Sequence, residues 1–444
     1  MLRLLVLTLA AGATMAAPAP RAVLVDGQRF VLAKTNSTIV MSGPNVVVKG
    51  PPYLPSVDGT EACADVVDAA CTASGNCTTC TTFNEADVAN IKAHGWNAIR
   101  LGVVWAGAQP SDTNSLDPDF LARLDAILTL CDNEGIAVVL DNHGDMTGSA
   151  GCGNGVPLWY HEAAAEAKGV ELGKPLVTDF PFYLVPGLDV EEIGGYDVCG
   201  DNVTKWAAHA NDPNYNLLNE CCMAMNSGGN PGALGWTSVA QAAMDYLVEE
   251  GEGRDYFVRF WRLMAEAVAD HPSAIAAELM NEPMTIRRRE YYETWRAVAE
   301  VINGVVPDLA VAIVDVGEGA VLPSFVTDHG GAGLDIAPET VAWIKASNTV
   351  FYAWHYYGEP SSAHAAVRNV QALSAAWNVP SFATEFGGCD TWDAASAASI
   401  SHTYWHYSSY CNTGSSFGNL SVPEETFGAC ILGWASGDSQ WECG

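Results

Sequence analysis

Two glutamates stand where a pair of carboxyl groups could do acid and nucleophilic chemistry together. Glu282 lies in LMNEPM, directly after an apolar run and before Pro283, which ends the strand and leaves the carboxyl at a rim. Glu385 lies in SFATEFGG, again closing a strand-like run, with Gly387 and Gly388 leaving room for a ligand. Hydrolysis of a glycosidic bond requires such a pair, one protonated carboxyl to assist the leaving oxygen and one carboxylate to attack or to activate water. Alone, either residue would read as a surface or helix-start carboxylate. Asn281, beside the first, is positioned to hydrogen-bond a sugar hydroxyl.

Further polar and aromatic side chains fall at the ends of other predicted strands. Arg100 closes the second, His143 follows the third in LDNHGD, His355 and Tyr357 close the sixth in AWHYYG, and Trp434 closes the eighth. A lone histidine is more often a satisfied core residue and a lone tryptophan more often packing, but such groups at the same end of separate strands are expected to converge. Arg100 and Tyr357 would orient Glu385 and keep it ionised, the histidines would contact sugar hydroxyls, and Trp434 would stack on a sugar face.

The elements that must position these residues alternate short apolar runs with segments of helical period from about Val46 onward, the pattern of βα units and a parallel sheet. Strands are expected at NVVV near Val46, NAIRL ending near Leu101, IAVVL ending at Leu140, AIAAELM ending at Met280, LAVAIVDV near Val314, TVFYAW near Tyr352, SFATE near Thr384 and ILGW ending at Trp434. Eight such units predict a (β/α)8 TIM barrel, an α/β fold. Apolar stripes at Leu121, Leu124, Leu128 and Cys131, at Phe257, Phe260, Trp261, Met264 and Val268, and at Tyr291, Trp295, Val298 and Ile302 mark helices, and Gly135 is a candidate C-terminal cap. The stretch from Asp141 to about Gly253 is too long for an ordinary connection. It predicts a disulfide-containing insertion after the third strand that walls the cleft.

The N-terminal run LLVLTLAAGATMAA after Arg3 reads as a signal peptide over residues 1–16, leaving residues 17–444 as a single catalytic domain that is exported as a monomer. Thirteen cysteines suit that compartment. Most are expected in disulfides, with Cys131 as a buried free thiol, and the C-x2-C at Cys77 and Cys80 lacks a second pair at zinc spacing. Sequons stand at Asn36, Asn76, Asn202 and Asn419. No run approaches the roughly 20 apolar residues of a transmembrane segment. A formal charge of −32 disfavours nucleic acid and anionic glycans and favours a neutral substrate.

Taken in order, these motifs resemble glycoside hydrolase family 5 and, within it, the endoglycosylceramidases, over about Gly43 to Trp434. GPNVVVKGPPYLP is similar to that subfamily's first-strand signature. LDNHGDM with GNGVPLW resembles its third-strand end, and GGYDVC followed by FVRFWRLMAEAVADHPSAIAAELMNEPM continues in the same order. The resemblance implies Glu282 as acid/base, Glu385 as nucleophile, and Arg100, His143, Asn281, His355, Tyr357 and Trp434 in the subsites. It implies no metal or organic cofactor, a glycolipid or oligosaccharide substrate, and cleavage of the β-linkage between glycan and ceramide. Asn142 and Gly144 depart from it, standing where those relatives carry Met and Gln. Competing expectations are an endo-β-glucanase or mannanase acting on polysaccharide, and a catalytically silent glycan-binding protein. Trp159, Phe180, Phe182 and Trp206 are candidates for a lipid-facing wall or for core.

Overall fold

Alanine- and valine-rich runs build the centre of the molecule. In a computed structural model of the chain, which describes residues 18–48, 53–57, 83–144, 147–148, 155–170, 238–285, 287–314, 337–356, 362–387 and 389–407, they form a closed parallel barrel. Its strands are β3 (Ser42–Val46), β4 (Ala98–Gly102), β5 (Ala137–Asp141), β6 (Ala274–Glu278), β7 (Ala310–Val314), β8 (Val350–Tyr356), β9 (Ser381–Phe386) and β10 (Ser401–Tyr407), with β10 returning to pair with β3. Strands β4 to β9 are buried along their whole length, as expected for parallel strands covered on both faces.

Seven strands lie where the apolar runs predict them; the eighth does not. Barrel closure is made by SHTYWHY, and the expected ILGW strand ending at Trp434 lies outside the described residues. The physical reason is composition. Ser401–Tyr407 contains no aliphatic residue, yet threonine, tyrosine and tryptophan suit a pleated surface as well as valine does.

Helices cover the outside with the predicted stripes inward. In the helix Pro118–Glu134, Asp117 caps the N-terminus, accepting from the backbone N–H groups of Asp119 and Phe120, and Gly135 ends it at φ 71°. Leu124, Leu128 and Cys131 are buried there, while Leu121 is only half-buried and Phe120 and Ile127 complete the stripe. Cys131 is a free, buried thiol, and burial pushes its pKa well up. The expected disulfides rest on cysteines whose side chains lie outside the described residues. The insertion is not loop throughout: helices Leu158–Lys168 and Ser238–Val248 belong to it and pack on each other. Among the described residues, no helix is long and apolar enough to cross a membrane.

An N-terminal hairpin, β1 (Val23–Asp26) and β2 (Arg29–Leu32), stoppers the barrel at the end away from the candidate site. Small side chains on the strands (Ala98, Ala276, Ala312, Ala353) leave space that Val23, Val25 and Phe30 fill, and Phe30 meets Phe351 and Phe382 edge-on at 5.6 and 6.0 Å. Arg21 locks the plug. Its buried guanidinium donates to the carbonyls of Ala19, Val268, Ala269, His271 and Ala274, including those just past the helix Glu252–Ala267. Arg21→Ala should therefore destabilise the fold by about 3 kcal/mol in urea denaturation, because these carbonyls lose their charged donor. A loss under about 0.5 kcal/mol, the scale of ordinary surface changes, would mean that water satisfies them.

Candidate active site

Strand ends at the other mouth of the barrel bring the predicted residues together. Arg100, at the middle of β4, is fully buried and is the hub. Its Nε and Nη2 donate to the two carboxylate oxygens of Glu278 at 3.1 and 2.7 Å, and Nη2 also donates to Asn281 Oδ1 at 2.8 Å. Nη1 donates to Asn45 Oδ1 at 2.8 Å and to Glu385 Oε2 at 2.9 Å. Asp141 Oδ1 stands 3.1 Å from Nη2. Three carboxylates thus share one guanidinium, whose own pKa they raise against the opposing pull of burial. Asn45 is held in turn, its amide reaching the carbonyls of Thr384, Thr403 and Tyr404 across the closing seam.

Glu385 and His355 are set by a register slip. Trp354 pairs with Ala383, but His355 pairs with Glu385, so β9 carries one extra residue there. In a strand whose side chains alternate, that bulge is what lets both point toward the axis. His355 Nδ1 donates to Glu282 Oε1 at 2.9 Å, while Nε2 lies 3.6 Å from Glu278 Oε1, a charge contact rather than a hydrogen bond. Burial disfavours the imidazolium, but Glu385, Glu278 and Glu282 outweigh it and raise His355 to about 10. Burial likewise opposes ionisation of Glu278, and Arg100 with His355 holds it down to about 2. For Asp141 burial wins, and its pKa is raised despite Arg100 and His143.

One oxygen of Glu282, one ring nitrogen of His355 and one oxygen of Glu385 lie within 4.8 Å of one another. That spacing would admit a small cation; Glu385 Oε2 is paired with Arg100 and Glu282 Oε1 accepts from His355. Glu282 follows the end of β6 with φ +38°, a left-handed backbone that costs a residue with a β-carbon of order 1 kcal/mol or more and recurs at functional positions. Its side chain is one-fifth exposed, at the edge of a small cleft lined by Gly144, Thr147, Met280, Asn281, Pro283 and Met284.

His143, two residues beyond β5, donates from Nδ1 to Asp141 Oδ2 at 2.8 Å and stacks on Trp405 at 5.1 Å with 17° between the planes. Trp405, on the observed eighth strand, is thus an aromatic group at the site among the described residues. Tyr357 and Trp434 both lie outside the described residues. Asn142 turns away. Its Oδ1 accepts from the Trp105 backbone and its Nδ2 donates to the Leu279 carbonyl, tying the rim together. Trp159 is an outer-layer residue that packs edge-on against Trp105 and Tyr256, and Phe180, Phe182 and Trp206 lie outside the described residues.

Asn45, Asp141, Glu278 and Trp405 are the site groups that the sequence reading passed over. Glu278 carried a signal: a carboxylate inside the apolar run AIAAELM, four residues before Glu282, is tolerable only with a buried partner.

The family model for cellulase (glycosyl hydrolase family 5) matches residues 63–173 and 202–413. An endoglycoceramidase of Cyanea nozakii is 26% identical over 330 residues, 72% of this chain and 53% of that protein. One of Hydra vulgaris is 25% identical over 243 residues, and endoglycoceramidase I of Rhodococcus hoagii (strain 103S) is 28% identical over 174. The chain spans about half the length of the first of these, and its matches cover 36% and 28% of the other two. Among solved structures, the crystal structure of an endogalactoceramidase aligns with 87% of this chain and 74% of its own at TM-score 0.54 and 17% identity. A lactosyl-enzyme intermediate of endo-glycoceramidase II from Rhodococcus sp. aligns with 87% and 75% at 0.51 and 16%. At such identities the likeness is one of fold.

Proposed function

The chain belongs to glycosyl hydrolase family 5, and from that premise we propose that it is an exported, retaining β-glycoside hydrolase that cleaves the bond between glycan and ceramide. The observation that carries the chemistry is the approach of Glu282 and Glu385, with oxygens within 4.8 Å, one ion-paired to Arg100 and the other hydrogen-bonded by His355. This supports the retaining geometry, in which carboxyl groups stand about 5–5.5 Å apart, over the roughly 6.5–9.5 Å that an intervening water requires. Three relatives named endoglycoceramidase support the substrate class, and the signal-peptide-like run expected over residues 1–16 supports export.

In this reading Glu385 attacks the anomeric carbon while Glu282 gives its proton to the departing glycosidic oxygen. The C–O bond to the lipid breaks as the bond to Glu385 forms. Water then enters, loses a proton to Glu282 and attacks the same carbon, releasing the sugar with its configuration retained and restoring both carboxyls. Arg100 orients Glu385, keeping it anionic before it attacks and stabilising the carboxylate again as it leaves in the second step. His143, Asn281 and Tyr357 contact sugar hydroxyls or the nucleophile, and Trp405 offers a stacking face beside His143. Trp434 keeps its proposed subsite role from the family resemblance alone.

Incubating the purified protein with lactosylceramide in detergent, and separately with β-glucan and β-mannan, tests the proposal by mass spectrometry of the products. Intact lactose and free ceramide are expected. Polysaccharide cleavage without ceramide release would move the substrate to the glucanase or mannanase class, and no product from any of them would favour a silent glycan-binding protein.

A further inference from the structure

Glu278 is fully buried beneath the cleft, at the end of β6 and opposite Asp141 in the neighbouring strand, and cannot touch a substrate. Both its oxygens are nevertheless committed to Arg100 and His355, the groups that hold the two glutamates at the cleft. The bidentate contact with Nε and Nη2 fixes the plane of the Arg100 guanidinium, and only with that plane fixed does Nη1 point at Glu385. On the other side, Oε1 faces Nε2 of His355, whose Nδ1 donates to Glu282. We propose that Glu278 is a positioning residue for both halves of the reaction, one carboxylate that orients Arg100 against Glu385 and His355 against Glu282. This rests on the assignment of those two glutamates given above.

A carboxylate is needed there, and an amide of the same shape does not substitute. Glutamine offers one acceptor oxygen to two guanidinium N–H groups and turns its own NH2 against the second. It also removes one of the three anions around His355, leaving Glu385 on β9 and Glu282 at the rim. No charged residue lies on β7, the other strand flanking β8. The imidazolium is held by Glu278 together with Glu385 and Glu282, so loss of one anion moves its deprotonation toward neutrality.

The test compares wild type, Glu278→Gln and Glu278→Asp in two ways. The ratio kcat/KM on dinitrophenyl β-lactoside, whose leaving group needs no proton, reads the Arg100–Glu385 half; kcat on that substrate and both parameters on lactosylceramide add the Glu282 half. Glu278→Gln is expected to lower kcat by about 10²-fold on both, the cost of a misplacement near 1 Å, with KM changed less than about threefold. Glu278→Asp should recover part of it. Ring-nitrogen NMR of the histidines, with His355 assigned from a His355→Asn variant, should show a wild-type imidazolium still protonated at pH 8 and one that titrates at lower pH in Glu278→Gln. Wild-type kcat in Glu278→Gln on both substrates, or a His355 already neutral at pH 7 in the wild type, would overturn the proposal. Should Glu278→Gln fail to fold, the wild-type titration and Glu278→Asp still decide it. If the wild type cleaves no glycoside, the functional reading falls, while the titration continues to judge the link between Glu278 and His355.

Discussion

Replacing Glu385 with glutamine is expected to lower kcat by roughly 10⁴–10⁶-fold on every substrate that the wild type cleaves, because the amide can neither attack the anomeric carbon nor accept the Arg100 ion pair. The companion variant gives the argument its resolving power. Glu282→Gln should cost about 10²–10⁴-fold with a lipid alkoxide as leaving group, which must be protonated as it departs. With dinitrophenolate that step needs no acid, and only the second, base-assisted step is slowed. Intact-protein mass spectrometry of Glu282→Gln with dinitrophenyl β-lactoside should then show a sugar bound covalently to the protein, and peptide mapping should place it on Glu385. A Glu385→Gln enzyme that keeps a tenth of its rate, or an adduct on another residue, would refute the assignment.

Arg100→Met should be the most destabilising substitution at the site, by about 3–5 kcal/mol in chemical denaturation, because it strands Asp141, Glu278 and Glu385 as buried charges without their cation. The pH dependence carries the sign of the argument. In the wild type Glu278 is depressed from an ordinary 4.5 to about 2, so its contribution is present above pH 4.5 and is lost as pH falls through 2. Without Arg100, burial governs, the carboxyl groups take up protons more readily in the folded state, and acid relieves the strain. The stability gap between wild type and variant should narrow from pH 7 to pH 4; a constant gap would show that water or backbone donors had replaced the guanidinium. His355 works from the other side. With a folded value near 10 against an ordinary 6.5, its stabilisation is complete below pH 6.5 and drains away as pH rises through 10.

What the sequence could disclose depended on how each residue announces itself. Glu282 and Glu385 sit at breaks in apolar runs, beside Pro283 and Gly387, and were legible for that reason. His143 and His355 were legible as polar residues at strand ends. Glu278 is hidden inside a run that reads as strand core, and its meaning depends on Arg100, 178 positions earlier in the chain. β10 escaped because the apolar-run criterion prefers ILGW to SHTYWHY, and with it Trp405 escaped in favour of Trp434. The stopper hairpin was not foreseen because its fit depends on alanines in four strands that individually look like filler. The register slip at His355 has no local signature at all, since it is a property of two strands together.

The seam between β10 and β3 joins Ser42 to His402 and Gly43 to Thr403, the longest-range pairing in the barrel. A β-carbon at Gly43 would fall 1.8 Å from the Ala98 carbonyl, so β3 and β4 approach there more closely than any larger residue would allow. For a chain emerging from a ribosome, β10 is the last of the eight barrel strands to be made. Asn45 finds the carbonyls of Thr403 and Tyr404 only when the final strand docks, so the brace it gives Arg100 is completed last. A nascent chain halted before Ser401 would be no abbreviated enzyme; it would present β3 and β9 as two bare edges, an invitation to aggregate rather than to turn over.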